Sequence, residues 1–341
     1  MPTIISLAIA FTATFFSLWL LQSLAIKIGL VDTPHGRKQH HGEVPLTGGI
    51  AMFLGFLFAL LTLSISLLPF RSFIAGCALL VFIGVLDDFH ELSARARFVA
   101  QTLAALLMVA WGKVELSNLG DLFFAGNVHL GEWGLPFTVI AVIGIINAVN
   151  MTDGVDGLAG GLAFVELGWL LFLAYQNQLL PEMAVLSIIL ASLLGFLCFN
   201  FPIPGRKRAL AFMGDAGSML LGFVLVFFLI ELSQGQSRIA SPVTMLWIMT
   251  LPLFDIGGVM LRRLSQRRSV FAPDREHLHH IMQGFGLNSL QISLTLCVVA
   301  LLCGLVGITL THFHVSDGIM FISFLVLFVV YLSLLTWLRR R

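Results

Sequence analysis

Long apolar runs separated by short polar segments are the main pattern of the chain. Several runs approach 20 residues, the length that a helix needs to cross about 30 Å of hydrocarbon. The runs are continuous and lack the period-two alternation of membrane β-barrel strands. We therefore predict an all-α polytopic integral membrane protein, with residues 1–341 forming a single membrane-embedded domain. The predicted spans, about eleven in all, cover residues 4–26, 47–68, 71–86, 98–112, 136–150, 158–176, 182–200, 210–232, 243–261, 290–311 and 317–338.

The composition supports this class. Hydrophobic residues make up 58% of the 341 residues and charged residues 11%, against roughly 25% charged residues in soluble domains. So few charges cannot cover a surface that faces water on all sides. The four cysteines lie in apolar runs without metal-binding spacing, which indicates small buried side chains. No basic residue precedes Lys27, so we expect the first span to be retained rather than cleaved as a signal peptide.

The basic residues predict the orientation in the membrane. With eleven spans, all of the 19 lysines and arginines except Arg71, Lys113 and Arg238 fall in loops on one side. Loops rich in Lys and Arg face the cytoplasm. The N-terminus is therefore predicted to be periplasmic and the C-terminus cytoplasmic.

The polar motifs lie on this same side, which predicts an active site at the cytoplasmic face. They are LDD (86–88), NAVNMTDGVDGLAGG (147–161), FMGDAGS (212–218) and PDREHLHHIM (273–282). No Walker A sequence is present, which argues against a P-loop ATPase.

The acidic motifs are typical of a magnesium site. Asp87 and Asp88 end an apolar span, where two adjacent carboxylates need a counter-charge. Asp153, Asp156 and Asp215 lie in glycine-rich turns, where backbone and carboxylates can both approach a ligand. Mg²⁺ is bound by one or two carboxylates together with waters and phosphates. Helix capping or polar contacts between helices would be the simpler interpretation of each motif alone.

The histidine motif favours an anion. His277, His279 and His280 follow Arg275, but the HxHH spacing suits a tetrahedral zinc site poorly, and no cysteine supports one. Arginine and histidine side chains bind anionic oxygens, although an ordinary basic loop remains an alternative. Carboxylates for a metal and cations for phosphates are the two halves of a phosphoryl-transfer site.

These motifs, in this order, resemble the polyprenyl-phosphate hexose-1-phosphate transferases, and the resemblance runs through nearly the whole chain. The HxHH element looks like that of the WecA-type branch, whereas MraY-type members have an HHH element. The resemblance implies that N-acetylglucosamine 1-phosphate passes from UDP-GlcNAc to undecaprenyl phosphate, with Mg²⁺ or Mn²⁺, giving undecaprenyl diphosphate-GlcNAc and UMP. It implies a multi-pass protein of the bacterial inner membrane that starts glycans such as O-antigen or enterobacterial common antigen. The resemblance is compatible with a homodimer and implies no nucleic-acid partner.

The resemblance also implies roles for individual residues. It makes Asp215 a metal ligand, Asp87 and Asp88 metal ligands or activators of the lipid phosphate, and Asp153 and Asp156 part of the nucleotide-sugar and metal site. Further residues match positions that bind the substrates: Asn150 and Asn200 near the nucleotide, Arg97 near the lipid phosphate, and Arg275, His277, His279 and His280 at the diphosphate. We expect Asn147, the deepest polar residue of its motif, to contact a neighbouring helix instead.

Other functions remain open at this level. The same chemistry could use another UDP-HexNAc or UDP-MurNAc-pentapeptide, and it could proceed by one displacement or by two with a covalent aspartyl intermediate. An ion-coupled transporter would place acids near the middle of the membrane. The acids here lie mostly at the ends of the predicted spans, and Glu166, Glu231 and Asp255 are the nearest exceptions. A scaffold without catalytic activity would give no reason for five clustered aspartates.

Overall fold

A computed structural model describes residues 3–32, 43–203, 205–206, 208–235, 238–267 and 277–339. Within these ranges the chain forms thirteen α-helices and one short antiparallel sheet, in which β1 (Val31–Asp32) pairs with β2 (Val44–Pro45). The helices are α1 (Ile4–Ile28), α2 (Gly48–Leu60), α3 (Arg71–His90), α4 (Ala94–Leu106), α5 (Gly134–Thr152), α6 (Leu158–Gln176), α7 (Leu180–Asn200), α8 (Gly214–Glu231), α9 (Pro242–Ile248), α10 (Thr250–Ser265), α11 (Leu278–Gly284), α12 (Ser289–His312) and α13 (Asp317–Leu338). Single 3₁₀ turns cover Leu68–Phe70 and Gly131–Trp133, and a π-helical turn over Leu107–Trp111 extends α4.

Several helices begin at side chains that satisfy the first backbone N–H groups. The Ser93 hydroxyl accepts from the N–H of Ala96 at the start of α4. Asn288 and Gln291 form a reciprocal capping box at the start of α12. Such caps each contribute about 0.5–2 kcal/mol, so they help to fix where the helices begin.

The predicted all-α polytopic class is confirmed. Eight of the described helices are long and apolar enough to cross a membrane, and the bent pair α9–α10 raises this number to nine. Helix α2 has only 13 residues and ends at Leu60, so the predicted span over 47–68 is too long. Each predicted span overlaps a helix, but the count of eleven and the orientation stay predictions.

The span predicted over 243–261 is not straight. Helices α9 and α10 meet at Met249 with a bend of 84°. Pro252 has no N–H to donate to the carbonyl of Ile248, and its ring clashes with that carbonyl in a continuous helix. The first helix therefore ends at Ile248 and the second runs in a new direction.

Helix α8 lies at the centre of the bundle. In the apolar stretch of α8, 83% of the residues are buried inside the protein, whereas the share is 22% in α1 and in α13. An apolar helix that is exposed in the isolated protein faces lipid, whereas one buried on all sides belongs to the core. The core beside α8 includes the stacked and edge-packed rings of Phe73, Phe223, Phe227 and Phe228. This packing holds the first turn of α8, which bears Asp215, at a defined place.

Candidate active site

The start of α8 is held by Asp88. One of its carboxylate oxygens accepts from the backbone N–H of Asp215 at 2.7 Å, and the other accepts from the N–H of Ala216 at 3.3 Å. Carboxylates are favoured at a helix N-terminus because the first N–H groups lack helical partners and carry partial positive charge. Asp88 therefore joins the end of α3 to the start of α8.

Asn150 orients the side chain of Asp215. Its amide nitrogen donates to a carboxylate oxygen of Asp215 at 2.6 Å and to the Ser218 hydroxyl at 2.8 Å. The structure thus brings the second motif, at the end of α5, to the third motif, at the start of α8. Because the amide of Asn150 donates to both the Asp215 carboxylate and the Ser218 hydroxyl, it fixes the rotamer of Asp215.

Asp87 has different partners from its neighbour Asp88. Its carboxylate accepts from the backbone N–H of Leu92 at 2.7 Å and pairs with the guanidinium of Arg97 at 3.3 Å. The Asp87 side chain is buried, whereas Arg97 is partly exposed. The predicted basic residue Arg97 therefore lies beside an acid of the same site.

Asn200 spans two backbone segments. Its carbonyl accepts from the N–H of Gly157 at 2.9 Å, and its amide nitrogen donates to the carbonyl of Ala211 at 3.0 Å. The side chain is buried. Both ends of the amide thus bind the protein itself, so Asn200 supports the site in this structure.

Asp156 also supports the segment that leads into α8. Its carboxylate accepts from the N–H of Ala209 at 2.9 Å, and its carbonyl accepts from the Ser293 hydroxyl at 2.9 Å. Farther along, the N–H of Phe212 donates to the carbonyl of Pro45 at 2.9 Å. The path to Asp215 is therefore tied to the turn after α5, to α12 and to β2.

The turn between α5 and α6 places Asp153 and Asp156 beyond the helix end, as the sequence predicted. Helix α5 ends at Thr152 and α6 begins at Leu158. Gly157 has φ of +77°, a conformation that glycine adopts without strain. A Cβ atom there would also lie 2.6 Å from the Pro202 ring.

Negative charge accumulates at this turn. Loss of hydration and repulsion from Asp215, Asp156 and Asp32 raise the pKa of Asp153 to about 7. Solvent reaches Asp153 and screens part of the effect, but the repulsion from each neighbouring carboxylate acts in the same upward direction. Asp32, in β1, was not among the site residues expected from the sequence.

The three histidines lie together at the start of α11. The rings of His277 and His279 stack with their centroids 5.8 Å apart. The ring centroids of His279 and His280 are 4.2 Å apart. His280 pairs with Gln283 at 3.0 Å. Arg275, predicted to act with them, falls outside the described residues.

His279 contacts the acidic turn. It is buried, and a Cβ atom placed on Gly154 would lie 2.2 Å from its Nε2. Burial, and then the neighbouring His280, lower the pKa of His279 to about 3, so its ring is neutral at neutral pH. In this arrangement we expect no charge-assisted bond from His279 to a phosphate, in contrast to the expectation from the sequence.

Two residues that join His277 in one cluster, Asp255 and Tyr331, were not expected from the sequence. Nδ1 of His277 lies 2.8 Å from a carboxylate oxygen of Asp255 in α10, and the hydroxyl of Tyr331 in α13 lies 3.3 Å from the other oxygen. The only signal in the sequence was Asp255 itself, an acid inside a predicted span. Nothing in the sequence around Tyr331 indicates a partner.

Asn147 lies apart from these residues, as expected. Its amide nitrogen donates to the side chain of Gln101 in α4 at 2.9 Å and to the carbonyl of Ile143 at 2.8 Å. It therefore joins α5 to α4 as a helix contact.

The carboxylates suit a hard divalent cation. Among the residues that the structure describes, no three His, Cys, Asp or Glu side chains converge closely enough to hold a metal alone. Mg²⁺ needs no such cage, because one or two carboxylates, waters and substrate phosphates complete its octahedron. The mutual repulsion at Asp153, Asp156 and Asp215 is what a dication would relieve.

Fold and site together define a multi-pass helical membrane protein with aspartates and histidines assembled at one end of its bundle. The sequence pattern described as "Glycosyl transferase family 4" matches residues 70–233, a range that contains all five aspartates. The chain belongs to this family and is a phosphoglycosyl transferase of the bacterial inner membrane.

Three bacterial relatives illustrate the similarity, and each is named undecaprenyl-phosphate alpha-N-acetylglucosaminyl 1-phosphate transferase. The Salmonella typhi protein is 39% identical over 94% of this chain and 88% of its own length. The Haemophilus influenzae protein is 38% identical over 98% of this chain and 97% of its own. The Escherichia coli K12 protein is 38% identical over 94% of this chain and 88% of its own length.

Proposed function

We propose that the protein transfers N-acetylglucosamine 1-phosphate from UDP-GlcNAc to undecaprenyl phosphate, giving undecaprenyl diphosphate-GlcNAc and UMP. The names of the three relatives support the acceptor and the transferred group. The observation that carries the proposal is the contact between Gly154 and His279. It brings an acidic turn suited to a metal and the helix that bears the three histidines into one site. The product would start a lipid-linked glycan of the O-antigen or enterobacterial common antigen type.

The proposed chemistry is one in-line displacement. A phosphate oxygen of the lipid attacks the β-phosphorus of UDP-GlcNAc, and the bond from this phosphorus to the oxygen that bridges the two phosphates breaks. UMP leaves with both electrons of that bond. A general base has little to do, because a phosphate monoester is largely ionised at neutral pH (second pKa about 6). Positioning then supplies much of the rate, up to about 7–11 kcal/mol in well-oriented cases.

Each group of residues has a proposed part in this step. Asp215, Asp87, Asp88 and Asp156 would hold Mg²⁺, for which Mn²⁺ can substitute. The metal would neutralise charge on the phosphates. Arg97, beside Asp87, would attract the lipid phosphate. Asp153, Asn150, Asn200 and the histidines, together with Arg275, would form the nucleotide-sugar side. In addition, the hydrogen bonds of Asn200 and Asp88 hold the backbone of the site in place.

The topology is part of the proposal. Eleven crossings arise if α2, α4 and the bent pair α9–α10 each count as one in addition to the eight long helices. The basic loops then face the cytoplasm, with the N-terminus periplasmic, the C-terminus cytoplasmic and the site at the cytoplasmic face. We further propose that the chain is one domain. The resemblance alone supports a homodimer, which light scattering of the purified protein in detergent tests.

Radiolabel transfer tests the function directly. Purified protein with Mg²⁺, undecaprenyl phosphate and UDP-GlcNAc labelled in the sugar is expected to move label into organic-extractable lipid. Chelation of the metal should stop the transfer. No transfer with metal and both substrates present would contradict the proposal and would leave the ion-coupled transporter as the alternative to test.

Two further measurements refine the reaction. A panel of UDP-sugars should show preference for UDP-GlcNAc, whereas preference for UDP-MurNAc-pentapeptide would overturn the proposed donor. A chiral donor phosphate separates the two mechanisms. Inversion at phosphorus is expected for one displacement, and retention would require two.

A further inference from the structure

Asp255 accepts three hydrogen bonds at the base of the histidine helix. One oxygen faces Nδ1 of His277 at 2.8 Å. The other accepts from the backbone N–H of Leu278 at 2.9 Å and from the hydroxyl of Tyr331 at 3.3 Å. Asp255 and His277 are both buried. A buried carboxylate is stable only with such partners, so this cluster is an organised part of the structure.

The cluster fixes the proton on His277. An ionised carboxylate accepts hydrogen bonds and donates none, so Nδ1 of His277 must bear the hydrogen that points at Asp255. The second ring nitrogen, Nε2, is then the atom whose lone pair or proton meets other groups. Without Asp255, the ring would lose the acceptor that fixes the proton on Nδ1.

The same carboxylate fixes the helix that bears the histidines. His277 is the residue before α11 and makes no side-chain cap. Instead of His277, Asp255 in α10 accepts a hydrogen bond from the first backbone N–H of α11, that of Leu278. The bend of 84° between α9 and α10 sets the direction of the helix segment that bears Asp255, and Tyr331 links it to α13. Ring and helix are thus oriented by one side chain.

We infer that Asp255 is a positioning residue for the transfer reaction: it sets the tautomer and orientation of His277, and Tyr331 steadies it. The inference rests on the proposed function, in which His277 contacts the diphosphate. His279, stacked on His277 and packed at Gly154, transmits the same orientation to the acidic turn. Asp255 need not touch the substrate to act in this way.

Asp255→Asn and Tyr331→Phe test the inference through kinetics. The amide of Asp255→Asn keeps one acceptor oxygen for three donors, so we expect kcat/KM to fall about 10- to 100-fold, the range for residues that orient functional histidines. Tyr331→Phe removes one long bond and should cost about fivefold or less. Asp121→Asn is the matched control, because Asp121 lies in the loop between α4 and α5, where its carboxylate accepts from the N–H of Gly126. Its kinetics should equal those of the wild type.

A double-mutant cycle separates positioning from general stability. If Asp255 acts through His277, Asp255→Asn should have little further effect in a His277→Ala background. An equal fall in kcat/KM in both backgrounds would overturn the inference. Thermal unfolding of each variant identifies any loss that comes from unfolded protein.

Imidazole ¹⁵N spectra test the inference without activity. In the wild-type protein, His277 should show a protonated Nδ1, and Asp255→Asn should shift this signal. A neutral His277 with its proton on Nε2 in the wild type would overturn the inference, even if the variants fail to fold. Since this measurement needs no substrate, absence of transfer would count against the proposed function alone.

Discussion

The carboxylate of Asp88 accepts a hydrogen bond of 2.7 Å from the backbone N–H of Asp215. Two acids that are far apart in the chain are thereby fixed to each other through the start of α8. The adjacent Asp87 contacts Leu92 and Arg97 instead. The two acids of the LDD motif thus have different structural tasks.

Asp88→Asn should destabilise the protein more than Asp87→Asn. The amide that replaces the Asp88 carboxylate can accept from only one of the two N–H groups, and its NH₂ group faces the other donor. By analogy with lost helix caps, we expect a loss of about 1–2 kcal/mol in the free energy of unfolding. Asp87→Asn loses mainly a partly exposed ion pair, worth about 0–1 kcal/mol. Thermal unfolding in detergent measures both. Equal unfolding temperatures would show that Asp88 does not hold α8.

Gly154→Ala should separate the histidine helix from the acidic turn. The added Cβ would lie 2.2 Å from Nε2 of His279, so the ring or the turn must move. We expect transfer activity to fall at least about tenfold, because a displacement near 1 Å already has large effects on positioned reactants. Gly144→Ala in α5 is the control, since nothing lies within 4 Å of its added Cβ. Full activity of Gly154→Ala would show that this contact is dispensable.

The charge of Asp153 should make stability depend on pH when metal is removed by a chelator. Its pKa is raised to about 7 in the folded protein by lost hydration and by Asp215, Asp156 and Asp32, against about 3.9 in an unfolded chain. Between these values the folded state binds more protons, so the free energy of unfolding falls as pH rises from about 4 to about 7. Asp153→Asn should remove this decrease. Unfolding temperatures measured from about pH 4 to pH 8 test it, and a variant that gains stability only at the acidic end would contradict the sign.

Polar residues of the second motif should show a gradient of effects on activity. Asp153→Asn and Asp156→Asn should each remove most transfer activity without unfolding the protein, because both change the acidic turn. Asn147→Ala should be milder, since it loses a bond to α4 and a bond within α5 but no contact with the acidic turn. Initial rates at matched expression measure the gradient. Equal losses at all three positions would show that Asn147 takes part in the site.

The proximity of the five aspartates could be predicted from the sequence, because carboxylates next to apolar helices are costly near lipid and need a shared counter-charge. The different hydrogen-bond partners of these residues could not be predicted. Asn200 has the residue type of a nucleotide ligand, yet both ends of its amide bind backbone. His279 has the residue type of a cation, yet burial makes it neutral. Both outcomes depend on packing between distant segments, which residue spacing does not encode.

The bend in α9–α10 did have a local signal that span prediction passed over. Pro252 lies inside an apolar run, and a proline interior to a helix removes one hydrogen bond and introduces a clash. The span was predicted from the length of the apolar run alone, so it was predicted to be straight. The partnership of Asp255, His277 and Tyr331 follows from that bend and from the approach of α13, neither of which can be deduced from any one segment.

The order in which the ribosome makes the chain gives the contact between Gly154 and His279 a further consequence. The turn with Asp153 and Asp156, and then Asp215, are synthesised well before the histidine helix. Tyr331, which joins the cluster at Asp255, is made later still, in α13. A nascent chain therefore has its acidic segments before the histidine helix can pack on them, and the hydrogen bond from Tyr331 to Asp255 forms only after α13 has been made.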